Sequence, residues 1–144
     1  MNKDILMTPL GIVKTDGGDV MHAMKKSDDG FTSFGETYFS NVDYKSIKAW
    51  KRHRLMTLNL IVPIGQIKFV LFDDRNSKEG YFQEIILSRE NYFRLTVPPM
   101  VWVGFQGLNK SGSMLLNVAD IEHNKNEVDR NELHQIYYKW SLNL

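Results

Sequence analysis

The sequence predicts an all-β domain, and three observations carry that reading. Apolar and polar residues alternate over short runs, as in Phe93-Arg94-Leu95-Thr96-Val97. Clusters of glycine, asparagine and proline interrupt those runs at short, regular intervals, and β-branched and aromatic residues fill the segments between. A period of two puts successive side chains on opposite faces of a strand, so each run can bury one face. Many short strands at this spacing build a sandwich or a barrel.

The elements follow in order. Residues 7–13, with Pro9 and Gly11, form an irregular entry strand. Asp16-Gly17-Gly18-Asp19 and the 25–30 run are turns, and residues 20–24 between them read as a strand or as one helical turn. Segments 34–42, 45–54, 58–62 and 66–73 are strands, with Gly65 in the tight turn between the last two. Asn76-Ser77-Lys78-Glu79-Gly80 is a polar turn, after which 81–87 and 92–97 resume the sheet. Pro98-Pro99 stops the ladder, because proline has no N–H to donate. Val101-Trp102-Val103-Gly104-Phe105, a turn at 109–112 and the 113–119 strand complete the β pattern. From Glu122 the chain turns polar, and residues 129–135 are predicted to form a short C-terminal helix.

Composition sets bounds on function. The 144 residues show neither repeat nor linker, so residues 1–144 read as a single domain with a core of its own. A formal net charge of +1 gives no global field for nucleic acid or an anionic membrane, so any basic patch is local. There is no cysteine, which excludes a disulfide framework, a thiol nucleophile and a cysteine-bound metal. No apolar run approaches the roughly 18 residues of a membrane helix, and no apolar stretch follows Met1-Asn2-Lys3-Asp4 as in a signal peptide. A cytoplasmic protein is expected.

The most informative segment is Ile47-Lys48-Ala49-Trp50-Lys51-Arg52-His53-Arg54, which loads one central strand with cations and an imidazole. On a regular strand Lys51 and His53 share a face with Ile47 and Ala49, while Lys48, Trp50, Arg52 and Arg54 share the other. So much charge on a central strand points to a ligand pocket.

Gly65-x-Ile67-x-x-Val70-x-x-Asp73-x-Arg75, Leu87-Ser88-x-Glu90-Asn91, Val97-Pro98-Pro99 and Gly104-Phe105 together resemble the dTDP-4-dehydrorhamnose 3,5-epimerase family. The Gly-Glu-x-Tyr-Phe opening at Gly35 to Phe39, Val101 to Phe105 and Ile121-Glu122-His123-Asn124-Lys125 are similar to a divergent branch of that family. The resemblance implies a cupin, a double-stranded β-helix jelly roll, usually dimeric through exchange of N-terminal strands. It also implies a metal-free, cofactor-independent enzyme acting on a 4-keto-6-deoxy sugar nucleotide in surface-polysaccharide biosynthesis. In such a reaction the 4-keto group acidifies the C3 and C5 protons. A base removes one, a cation or donor holds the enolate, and an acid returns a proton.

The chain departs from the family's catalytic set. Lys51 stands where the family has its base histidine, Asn117 where it has its tyrosine acid, and Val103 where it has a further histidine. The late aspartate that orients the histidine has no counterpart near residues 132–136. His53 is the remaining candidate base, with an ordinary pKa near 6.5, the alternative being a packed core histidine. Lys51, among like charges, is either a base itself or the cation that holds the enolate oxygen. His123, where the family carries a pocket tyrosine, is a candidate proton donor, and Asn117 can hydrogen-bond a ketone. Lys48, Arg52, Arg54, Lys68 and Arg94 are candidate diphosphate contacts. Trp102 and Tyr38 are candidates for stacking on base or sugar, and Glu36, in the same opening as Tyr38, joins them as a substrate contact.

His22, His53, His123 and His134 show no metal-ligand spacing. The expected activity is nucleotide-sugar epimerisation by a homodimer. Keto-isomerisation on the same substrate class, or sugar-nucleotide binding without catalysis, are the alternatives.

Overall fold

The computed structural model describes residues 3–140. Twelve strands and one 3₁₀ turn follow in the order β1 (Leu6–Pro9), β2 (Ile12–Thr15), β3 (Gly18–Met21), β4 (Glu36–Val42), β5 (Ile47–His53), β6 (Leu58–Ile64), β7 (Gln66–Asp73), β8 (Tyr81–Ser88), β9 (Phe93–Val97), β10 (Trp102–Gly107), β11 (Ser113–Ala119), the turn Lys125–Glu127, and β12 (Val128–Arg130). They pair into two five-stranded antiparallel sheets, β1-β9-β6-β11-β4 and β12-β5-β10-β7-β8, with β2-β3 as a separate hairpin. This is the all-β arrangement the alternating pattern predicts. Among the described residues no helix is long and apolar enough to cross a membrane.

The main core lies between the two sheets. Leu58, Leu60 and Val62 of β6 and Leu115 of β11 meet Ile67, Phe69 and Leu71 of β7, all buried. The alternating spacing selects these positions, and each fully buried side chain of this size contributes about 1.5–3 kcal/mol. A second cluster of Trp50, Val70, Trp102 and Ile136 sits on the outer face of the β5-β10-β7 sheet. The C-terminal segment crosses that face, and the indole N–H of Trp50 donates to the Ile136 carbonyl at 3.0 Å.

The expected C-terminal helix over 129–135 does not form. Its start is β12, whose Val128, Asp129 and Arg130 pair with His53, Arg52 and Lys51. Asn131 and Trp50 then exchange two backbone hydrogen bonds at 3.0 and 3.1 Å. These ladder bonds occupy the groups that a helix would use. The entry strand divides into β1 and β2, and the ambiguous 20–24 region begins inside β3.

The Asp73-x-Arg75 motif has a structural role. Arg75 donates to Asp73 at 2.8 and 2.9 Å and to Asp4 at 2.7 and 3.1 Å, tying the N-terminal segment to the end of β7. Gly35 is a second fixed point, since a Cβ there would lie 2.1–2.4 Å from the backbone of Ile121. Gly35→Ala is therefore expected to cost about 1–3 kcal/mol of stability. A lowered urea midpoint with an unchanged slope would show it.

Candidate active site

A cavity of about 420 Å³ opens between the sheets, bounded by β4, β5, β6, β10, β11 and β12. Leu58, Leu60, Val103, Phe105 and Leu115 give it apolar walls, while Tyr38, Lys48, Lys51, His53, Asn117 and Arg130 bring polar groups to it.

One irregularity in β5 makes this grouping possible. Against β10, Lys51 pairs with Val103 but Lys48 pairs with Phe105, so two residues of β5 stand opposite Gly104 alone. Such a bulge shifts the side-chain alternation by one. Lys48 therefore reaches the same cavity as Lys51 and His53, where a regular strand would turn it away. The close packing explains why residue 104 is glycine: a Cβ there would lie 2.7 Å from the Ala49 side chain and 3.0 Å from Trp50 and Trp140.

His53 is buried, and its Nδ1–H donates to the buried carboxylate of Glu127. That bond fixes the tautomer and leaves Nε2 as the nitrogen free to accept a proton. Burial is the largest influence on the imidazole and holds its pKa below the ordinary 6.5; the Glu127 hydrogen bond opposes this, and the nearby Lys51 and His123 add to it. Burial alone would raise the Glu127 carboxyl, but hydrogen bonds from His53 and from the backbone N–H groups of Leu55 (2.9 Å) and Met56 (3.3 Å) outweigh it and hold the pKa low. The pair is thus a neutral imidazole against a carboxylate at neutral pH. Lys51 is also lowered from its ordinary value, first by burial and then by the charge of Arg130, against the opposing pull of Glu127 and Glu36.

Asn117 donates from Nδ2 to the Tyr38 hydroxyl at 3.0 Å and accepts the Asn59 N–H at 3.0 Å. With its oxygen lone pair occupied by Asn117, the Tyr38 hydroxyl keeps its own proton for another acceptor.

The structure brings the candidates Lys48, Lys51, His53, Asn117 and Tyr38 to one cavity, and it takes five others elsewhere. Arg94 is wholly buried, donating to the Ala23 and Asp29 carbonyls and to Asp28. Lys68 is buried on the outer face, its ammonium 5.4 and 5.5 Å from the ring centres of Tyr138 and Trp140. Trp102 lies in the outer cluster under the Arg52 guanidinium, 4.5 Å from its ring centre. Arg52 donates to Asp129 at 2.8 and 3.0 Å, and Arg54 engages the other oxygen of that carboxylate. These five lie on outward-facing positions, so the side-chain alternation itself removes them from the cavity. Glu36 is half-buried at the start of β4, and His123 is exposed beyond the cavity.

Two residues of the site escape the sequence reading. Glu127 and Arg130 lie in the segment expected to be a polar loop and a helix, and only pairing of β12 with β5 brings them in. Among the described residues, no group of three histidine or acidic side chains converges to hold a metal ion.

Among solved structures, this chain is 36% identical to a dTDP sugar isomerase from Desulfovibrio desulfuricans G20, with a TM-score of 0.85 over 90% of this chain and 85% of that one. The chain belongs to the dTDP-sugar isomerase family of cupins. The same fold recurs in a sugar 3,4-ketoisomerase from Thermoanaerobacterium thermosaccharolyticum solved with TDP, at 20% identity and TM-score 0.75 over 91% of this chain and 90% of that one. It recurs too in a dTDP-4-dehydrorhamnose 3,5-epimerase from Elizabethkingia anophelis NUHP1, at 17% identity and TM-score 0.73 over 89% and 75%. No protein-family model and no curated protein sequence matches the chain.

The geometry predicts that His53 titrates below 6.5 in the free protein. Glu127→Gln removes the charge that favours the imidazolium and should move the midpoint lower still. Proton–carbon NMR of the histidine Cε1 signals reads both values, and an upward move in the variant would contradict the pairing.

Proposed function

We propose that this chain is a cofactor-independent, 3,5-epimerase-like isomerase that removes a proton beside the 4-keto group of a dTDP-linked deoxysugar. The observation that carries the reading is the buried His53–Glu127 pair on the wall of a cavity whose polar groups include Lys48, Lys51 and Arg130. The identity to a dTDP sugar isomerase supports the substrate class. The place of such a reaction is surface-polysaccharide biosynthesis, carried out by a homodimer in the cytoplasm.

His53 Nε2 acts as the general base. It takes the C3 or C5 proton, and Glu127 stabilises the imidazolium that forms at Nδ1. The electron pair moves into the C4 carbonyl to give an enolate, whose oxygen Lys51 holds as a cation in a partly desolvated setting. Lys51 thus occupies the position that the family resemblance gives to a histidine, and the base moves two residues along the same strand face. Tyr38 serves as proton donor in place of His123, the donor expected from the sequence, with Asn117 holding its hydroxyl in place. Lys48 and Arg130 take the diphosphate oxygens, and the apolar walls keep water from the carbanion.

A second reading has its own support. In this reading base and acid are residues 53 and 38, where the epimerase resemblance points to 51 and 117. Keto-isomerisation between C3 and C4 begins with the same enolate and differs only in where the proton returns, so a displaced pair suits it equally well.

The test is proton NMR with dTDP-4-keto-6-deoxyglucose in deuterated buffer. Loss of the C3 or C5 signal is expected, and the carbonyl position in the product separates an epimer from a keto-isomer. His53→Asn should slow exchange about 10²–10⁴-fold, whereas Lys51→Arg should retain a measurable part of it. Because the base works unprotonated and its pKa lies below 6.5, kcat/KM should hold through neutral pH and fall in acid. Line broadening without exchange would leave a binding module and end the enzymatic reading.

A further inference from the structure

The cations along β5 differ in what holds them. Arg52 and Arg54 share the Asp129 carboxylate, and Lys48 Nζ lies 3.5 Å from the Asn41 carbonyl. Lys51 is half-buried in the cavity wall, and among the described residues no group holds its Nζ in a hydrogen bond or an ion pair. What faces it is another cation. Lys51 and Arg130 are cross-strand partners in the β5–β12 ladder, and both reach the same cavity. Residues directly opposite on paired strands stand about 5 Å apart, and like charges there repel. A guanidinium keeps its proton in any protein setting, so the repulsion is relieved only at the lysine.

The rest of the cavity presses the same way. Its apolar walls disfavour an ammonium, and β10 and β11 bring Val103, Phe105, Leu115 and Asn117 to it, none of them charged. On β5 itself, Lys48 adds positive charge and His53 is neutral at neutral pH. Two carboxylates pull against this, Glu36 at the start of β4 and Glu127 on the turn before β12, but neither pairs with Lys51. The oxygens of Glu127 already serve His53, Leu55 and Met56. A lysine that is partly desolvated and set against a second cation is one whose amine attacks carbonyl carbon.

We propose that Lys51, kept nucleophilic by Arg130 across the ladder, adds through Nζ to the 4-keto carbon of the sugar nucleotide and forms an imine. The proposal rests on the keto-sugar reading and adds a covalent route to the same proton abstraction. As an ammonium Lys51 holds the enolate oxygen; as an amine it replaces that oxygen. The nitrogen lone pair attacks C4, and the carbonyl pair moves to oxygen. That oxygen takes one proton from the attacking nitrogen and one from the Tyr38 hydroxyl, then leaves as water. Tyr38 is 39% exposed, so solvent returns its proton. The cationic C4=N bond acidifies C3 and C5, His53 Nε2 takes a proton from one of them, and the electron pair moves onto nitrogen as an enamine. Return of a proton to carbon and addition of water restore the ketone and release the lysine.

Mass spectrometry of the full chain incubated with dTDP-4-keto-6-deoxyglucose and cyanoborohydride tests this. A single adduct is expected, of substrate mass less one oxygen, and peptide mapping should place it on Lys51. Lys51→Arg should give no adduct yet keep part of the deuterium exchange, since a guanidinium holds an enolate oxygen but forms no imine. Mapping on the wild type locates the adduct whether or not that variant folds. Arg130→Leu should move the pH midpoint of trapping upward, a shift that weaker diphosphate binding would not produce. Deuterium exchange at C3 or C5 without an adduct overturns the imine and leaves the isomerase standing. An adduct on Lys48 or scattered over exposed lysines overturns the proposal, as does an unmoved midpoint in Arg130→Leu. Absence of both adduct and exchange removes the functional reading with it.

Discussion

The hydrogen bond between His53 and Glu127 is the constraint on which the site depends, because it joins two segments 74 residues apart. A buried carboxylate without partners is costly, and Glu127 has three: the imidazole and the backbone N–H groups of Leu55 and Met56. Its own carbonyl accepts the Arg54 N–H at 2.8 Å, so side chain and backbone both fasten the chain after β11 to the end of β5. From that anchor β12 runs along β5 and carries Arg130 to the cavity and Asp129 to the opposite face. One side-chain contact thereby sets the protonation of the imidazole, the register of the last strand and the placement of a cation.

The two faces of β5 divide the work. Inward, Lys48, Lys51 and His53 meet the cavity; outward, Arg52 and Arg54 are neutralised by Asp129, and Trp50 is packed under the C-terminal segment. Pairing the outward cations matters to the inward ones. Arg52 and Arg54 are held against a carboxylate, whereas Lys48, Lys51 and Arg130 line one cavity. The bulge opposite Gly104 is what admits Lys48 to that set.

Much of the fold is legible in the sequence, since period-two alternation and glycine turns are local signals. The strand segments and Gly65 at its turn follow from them. Lys51, His53 and Asn117 are legible as cavity residues for the same reason, as inward members of central strands. What could not be read locally is any position fixed by a distant partner. Arg94 looks like an exposed strand cation, yet its outward face lies under the segment between β3 and β4, which turns it into a buried tie. Glu127 and Arg130 look like a solvated polar run, and residues 129–135 like a helix, until β5 offers them a ladder. The bulge is equally silent, because no residue type in Lys48-Ala49-Trp50 announces it.

The departures that the family resemblance suggests at positions 51 and 117 read differently once the cavity is built. Beside Lys51 the next inward position of β5 is His53, a histidine already oriented by a carboxylate. Asparagine at position 117 cannot donate a proton as an acid, but it can hold a hydroxyl, and its cross-strand partner on β4 is Tyr38. The imidazole stands two residues along the strand from Lys51, and the Tyr38 hydroxyl one strand over from Asn117. A sandwich makes such transfers easy, since inward side chains of adjacent strands share one cavity and stand about 5 Å apart. The function of the site is therefore a property of the face rather than of the individual positions.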